Sequence, residues 1–197
     1  MTAPVLTPRA AREQRAFRTM LDCMARPGQI GSMQPHERGG QCAGAVTILE
    51  SVLDHEVSFA VVPEAPDVVD TLLRFTGSRS TEPAQADFIL ASEPQHVAAV
   101  EIAKLGSFEY PDRNATVLLL VSDLSAAPNG GLGLVLRGPG IRDTSHLWVT
   151  GLSMGVIPAL RERNAGAPMG IDVVLITPHG QVACLPRYTR IETPGAL

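Results

Sequence analysis

Residues 57–91, VSFAVVPEAPDVVDTLLRFTGSRSTEPAQADFILA, hold in one run the pattern that decides the fold. VSFAVV (57–62) reads as a buried strand, because valine, phenylalanine and alanine in succession leave almost no polar face. APDVVDTLLRFTG (65–77) reads as a helix that starts at Pro66 and stops at Gly77, the residue types that suit those ends. ADFILA (86–91) is a second strand. Strand, helix, strand is the unit that lays successive strands parallel and covers them with a crossover helix.

Working outward, the unit repeats toward the C-terminus as a helix over residues 95–105 and a strand over 116–122. Toward the N-terminus, AAREQRAFRTMLDCMARPG (10–28), entered at Pro8, places Phe17, Met20, Leu21 and Met24 at i, i+3, i+4 and i+7. That spacing predicts an amphipathic helix with those four residues inward, stopped by Pro27 and Gly28. A loop with Pro35, Gly39 and Gly40 leads to a second helix with Val46, Leu49, Val52 and Leu53 on one face, ending near Asp54. Beyond residue 130 the texture changes. Residues 132–137 form a strand that runs into Gly138-Pro139-Gly140, followed by an apolar stretch with Trp148 and a helix over 156–163. GIDVVLITPHGQVACLPR (170–187) closes the chain as a hairpin turning at Pro178, His179 and Gly180. The expectation is an α/β protein, a single domain over 1–197, built as a three-layer α/β/α sandwich around a mixed sheet.

Composition narrows the function classes. With 16 basic and 20 acidic residues the net charge is −4, and no Lys/Arg run exists, so the clustered cations that a nucleic-acid surface needs are missing. Fifteen of the 16 basic residues are arginine, with Lys104 alone, a bias that suits planar recognition of small anions and that a GC-rich genome also produces. The three cysteines, Cys23, Cys42 and Cys184, are odd in number and widely spaced, which reads as reduced thiols in a cytoplasmic protein. MTAPVLTPRA has no secretory pattern, and no apolar stretch approaches the roughly 20 residues of a membrane helix.

Several motifs invite chemistry. Gly151-Leu152-Ser153-Met154-Gly155 matches the GxSxG elbow of serine hydrolases, and Asp172 and His179 follow in hydrolase order. Asp172 begins a strand and His179 lies in the turn beyond it, about 20 Å away at roughly 3.3 Å per residue, whereas an orienting carboxylate must touch its histidine. His146 is a further candidate base, and the plainer reading of Ser153 is a small residue near a helix start. The five histidines, His36, His55, His96, His146 and His179, show no HxH or HExxH spacing, so no metal is expected. Lys104 falls inside a predicted helix, a poor place for a Schiff base. Arg9, Arg12, Arg15 and Arg18 recur every third residue and read as a solvated face to which a partner could dock. The turn Gly138-Pro139-Gly140 between Arg137 and Arg142 could offer amides and guanidinium groups to an anion.

Taken together, FRTMLDCMARPG (17–28), LLRF (72–75), LVLRGPGI (134–141) and GIDVVLI running on to LPRYT (170–189) resemble one family, the H subunit of the bacterial carbon–phosphorus lyase system. None is a catalytic motif; the specificity lies in their combination over nearly the whole chain. The resemblance implies a homodimer whose fold is similar to the large domain of pyridoxal-phosphate-dependent transferases, without that cofactor or any other. It implies an accessory subunit of the lyase core complex. That complex makes alpha-D-ribose 1-alkylphosphonate 5-triphosphate from ATP and an alkylphosphonate with the G, I and L subunits. The implied partners also include the J subunit, which breaks the carbon–phosphorus bond with an iron–sulfur cluster; the three scattered cysteines here do not form such a site. The expected catalytic residues are none, and the candidate anion-binding residues are Arg137, Gly138, Gly140, Arg74 and Arg187. The alternative reading is a small serine hydrolase using Ser153.

Overall fold

The computed structural model describes residues 7–193. Its first helix, α1 (Pro8–Ala25), starts where the Thr7 side chain accepts the Ala10 amide and Pro8 supplies a residue with no amide to satisfy. The remaining helices are α2 (Ala43–Val52), α3 (Pro66–Thr76), α4 (His96–Ile102) and α5 (Val156–Arg163). The strands are β1 (Gly31–Ser32), β2 (Ser58–Val62), β3 (Arg79–Ser80), β4 (Phe88–Ala91), β5 (Thr116–Leu120), β6 (Asp123–Ser125), β7 (Leu132–Arg137), β8 (Ser145–Thr150), β9 (Asp172–Ile176), β10 (Gln181–Leu185) and β11 (Arg190–Glu192).

The continuous apolar runs become the centre of a seven-stranded mixed sheet in the order β1-β10-β9-β5-β4-β2-β3. Strands β9, β5, β4, β2 and β3 are parallel, and β10 and β1 are added antiparallel at one edge. Val117, Leu118 and Leu119 of β5 are fully buried although they point to opposite faces in turn, as a strand covered on both sides requires. One face packs against α1, α2 and α3 through residues such as Leu118, Val174, Ile48 and Leu72. The other packs through Val117, Leu119 and Val173 against α4, α5 and further strands.

Those further strands depart from expectation. The second half does not simply extend the sheet: β11-β7-β8-β6 form a separate, four-stranded antiparallel sheet. Its buried side chains, Leu124, Leu134, Leu136, Leu147, Val149 and Ile191, share a core with α4 and α5, so one outer layer is part helix and part sheet. β7 shows why: Leu134 and Leu136 are buried while Gly133, Val135 and Arg137 are more open, a period of two that suits one covered face rather than two.

The face of α1 is also different. Ala16, Met20 and Cys23 are buried, whereas Phe17 and Leu21 are 41% and 47% exposed. Small residues let α1 approach β10 and α2 closely, and that approach wins over burying the larger side chains. Lys104 lies beyond α4 rather than within it. Its ammonium is 2.5 Å from Asp87 Oδ1, and Ser58 donates to the same carboxylate from its amide and hydroxyl. Burial pushes the Asp87 carboxyl up, but the Lys104 and Ser58 hydrogen bonds outweigh it and hold it below the ordinary range.

Candidate functional site

The Gly138-Pro139-Gly140 turn joins β7 to the segment before β8, as read from the sequence. Gly140 has φ +81°, and a side chain there would run into the Ala25 carbonyl at the end of α1. Gly28, with φ +88°, is equally hemmed in by Ser145 and Leu136. Two segments more than a hundred residues apart therefore meet closely, Gly140 against the Ala25 backbone and Gly28 against side chains, each at a left-handed φ that favours glycine. Between them lies an open hollow of about 270 Å³ lined by Arg26, Pro27, Gly28, Gly140, Ile141 and Arg142, among others. Arg26 binds Asp22 and Gln29, while Arg142 has no acceptor among the described residues. Arg137 sits beside rather than within this hollow. It pairs with Arg190 across β7 and β11, and its guanidinium is 3.7 Å from Glu192 with both side chains more than half exposed.

The other expected residues are not gathered there. Arg74 is exposed in the last turn of α3, a helix that packs on the opposite face of the large sheet from β7. Arg187 lies closer, since the next carbonyl, that of Tyr188, faces Gly138, but its guanidinium is engaged. It donates to Asp172 Oδ2 at 2.9 Å, Asn114 Oδ1 at 2.8 Å and the Pro111 carbonyl at 2.7 Å. Its amide donates to the second Asp172 oxygen at 2.9 Å. Arg187 thus pins the start of β9 to the chain leaving β10 and to the loop before β5.

At the opposite, C-terminal end of the parallel strands, Ser153 is placed by the turn between β8 and α5. Asp172 is in register with Thr116 at the start of β5, whereas Ser122 beyond the end of β5 bonds Thr150, so Asp172 is roughly 20 Å of strand away from the serine. His179 is exposed in the turn after β9, and His146 stacks on Trp148. The groups that do reach Ser153 come from the loop after β4 and the first residue of α4. Its hydroxyl donates to Glu93 Oε1 at 3.0 Å and lies 3.4 Å from His96 Nδ1, which also faces the Ser153 amide at 3.5 Å. His96 is completely buried, and burial holds its imidazole below the usual range against the pull of Glu93. The Ser-His-Asp arrangement of serine hydrolases puts the carboxylate behind the imidazole, where it orients the ring. Here the carboxylate binds the serine, and none pairs with His96 among the described residues. No sequence spacing pointed to Glu93 or His96, because they reach Ser153 across some sixty residues only through adjacency of β4, β5 and the β8–α5 turn.

Fold and site define a class: a mixed-sheet α/β protein whose distinctive surface is an arginine-flanked glycine turn assembled from segments far apart in the chain. The chain belongs to the family described as bacterial phosphonate metabolism protein (PhnH), which it matches over residues 4–192. It is 34% identical over 187 residues to HtxG of Stutzerimonas stutzeri, named as a C-P lyase subunit protein, covering 95% of this chain and 89% of that one. It is also 32% identical over 186 residues to a protein of Rhizobium meliloti (strain 1021), covering 91% of this chain and 90% of that protein. That relative is named alpha-D-ribose 1-methylphosphonate 5-triphosphate synthase subunit PhnH. The family resemblance carried by the four quoted segments therefore holds over nearly the full length.

Proposed function

We propose that this chain is an accessory subunit of the carbon–phosphorus lyase core complex in phosphonate catabolism. In that role it supports formation of alpha-D-ribose 1-alkylphosphonate 5-triphosphate from ATP and an alkylphosphonate, without independent activity. The observation that carries this reading is the family match over residues 4–192, together with two near-full-length relatives whose names place them in a C-P lyase and in the triphosphate synthase. The partners are the G, I and J subunits and a second copy of this chain, and the compartment is the cytoplasm. Consistent with that compartment, no helix among the described residues is long and apolar enough to cross a membrane.

The finer fold reading, similarity to the large domain of pyridoxal-phosphate-dependent transferases, draws support from the parallel core of the large sheet with helices on both faces. Use without that cofactor draws support from Lys104, whose ammonium is held by Asp87. For an anionic small molecule the turn at Arg137, Gly138 and Gly140 is the proposed contact, with Arg142 and Arg26 beside it. Arg187 serves as a brace, and Arg74 belongs to a separate surface open to a partner.

Co-expression with the G, I and J subunits followed by size-exclusion chromatography tests the subunit role. The chain is expected to co-elute with them; elution only as free protein under conditions where the other subunits assemble overturns the reading.

A further inference from the structure

The arginine repeat on α1 divides in the folded protein. Arg9 binds Glu13 and the Phe75 carbonyl and lies over the Phe75 ring. Arg12 reaches inward, with Nη2 at 3.2 Å from Glu50 Oε2; that carboxylate is 1% exposed, and His36 Nε2 stands 3.3 Å from its other oxygen. Arg15 and Arg18 have no carboxylate partner among the described residues and turn with Arg12 toward one hollow. This hollow, of about 520 Å³, lies between α1 and the stretch from Ser32 to Gln34; Thr19, Asp22 and Met33 complete its lining. Asp22, the one carboxylate there, is held by Arg26 at 2.9 Å.

We propose that this hollow binds a linear polyphosphate chain, of the size of a triphosphate, through Arg12, Arg15 and Arg18. Spacing by three residues sets the guanidinium groups along about 9 Å of helix axis and turns each by roughly 60° from the last, an arc around a rod rather than a cluster around a point. One phosphate would leave one end of that arc without an acceptor, and a row of phosphates meets all three. Arginine forks suit phosphoryl oxygens in pairs. The buried Glu50 fixes Arg12 from behind, so one of the three cations is positioned in advance while Ser32 and Gln34 offer neutral hydrogen-bonding groups on the far wall. The volume fits a small-molecule site. The inference stands on the hollow itself and is independent of the assembly role, so either can fail alone.

The test is isothermal titration of the full-length protein with inorganic tripolyphosphate, and with sulfate at matched ionic strength, for the wild type, Arg15→Ala/Arg18→Ala and, as a control, Arg79→Ala, which changes an exposed arginine of β3 at the far edge of the large sheet. A denaturant midpoint for each variant confirms that it is folded. Tripolyphosphate should bind the wild type more tightly than sulfate, lose affinity about tenfold or more in the double variant, and be unaffected by Arg79→Ala. Absence of binding to the wild type, equal binding of sulfate, unchanged affinity in the double variant, or an equal loss in Arg79→Ala would each overturn the assignment. If the double variant does not fold, Arg15→Gln/Arg18→Gln is read by the same criteria.

Discussion

The arginine at position 187 and those at 15 and 18 carry the same group and meet opposite environments. Around Arg187 both terminal nitrogens of the guanidinium are met from within: Asp172, Asn114 and a loop carbonyl take their hydrogen bonds, and the side chain is only 16% exposed. Along α1, Arg15 and Arg18 stand over a hollow with no carboxylate of their own, while Arg9 and Arg12 are held by Glu13 and Glu50. What differs is the chain around them. Arg187 lies where three returning segments converge, whereas Arg15 and Arg18 lie on the outer side of a helix covering the sheet's edge. A sequence rich in arginine therefore contains braces and open cations together, and topology sorts them.

Breaking the brace should have the largest effect. Arg187→Ala leaves Asp172 and Asn114 without their partner in a mostly buried place, and is expected to cost about 2–3 kcal/mol in urea denaturation, toward the low end for a broken buried pair because some water reaches it. Arg187→Lys should recover little, since one ammonium cannot reach the same set of acceptors. A loss below about 0.5 kcal/mol for Arg187→Ala would erase the contrast.

Next comes the anchor behind the open cations. Glu50→Gln removes the charge that fixes Arg12 and faces His36, and is expected to cost about 1–2 kcal/mol at neutral pH. A variant as stable as the wild type would show that Arg12 is not held from behind.

The Asp87–Lys104 pair gives a smaller effect with a defined pH sense. Because the folded state holds the Asp87 carboxyl below its ordinary value of 3.8, the pair's stabilisation is present above that value and is lost as pH falls through the lower, folded one. Asp87→Asn should therefore narrow its stability gap to the wild type as solutions are made acid, and a gap that widens on acidification contradicts the assignment.

Ser153→Ala and Arg137→Ala should change least, each within about 0.5 kcal/mol, because one removes a half-exposed hydroxyl and the other an exposed ion pair at 3.7 Å. Ester hydrolysis by wild type and Ser153→Ala should be equal and at background; a rate lost with the hydroxyl would restore the hydrolase reading.

The parallel arrangement of β2, β4 and β5 was legible because they are unbroken apolar runs alternating with helices, whereas β9 read only as one strand of a hairpin and its parallel place beside β5 was not. The division into two sheets was not: β7 and β8 read as strands in either sheet, and which sheet a strand joins depends on partners distant in the chain. The two-residue strands β1 and β3 are too short to carry any periodicity. On α1 the size of Phe17 and Leu21 pointed inward, but close approach favoured Ala16 and Cys23. The glycine turn was readable as a turn, whereas its contact with the end of α1 was not, since Gly140 and the Ala25 carbonyl meet only after folding. The same holds for Glu93 and His96 beside Ser153. Arg187 looked as open as Arg137 because nothing in its neighbours along the chain shows that Asp172 and Asn114 come to it.

The central claim is that this chain works as part of an assembly. Its most direct test is to reconstitute synthesis of the ribose 1-methylphosphonate 5-triphosphate from ATP and methylphosphonate with the G, I and L subunits, with and without this chain. Product formation is expected to depend on the chain, while the chain alone makes none; equal product in its absence, or turnover by the isolated chain, would contradict the account.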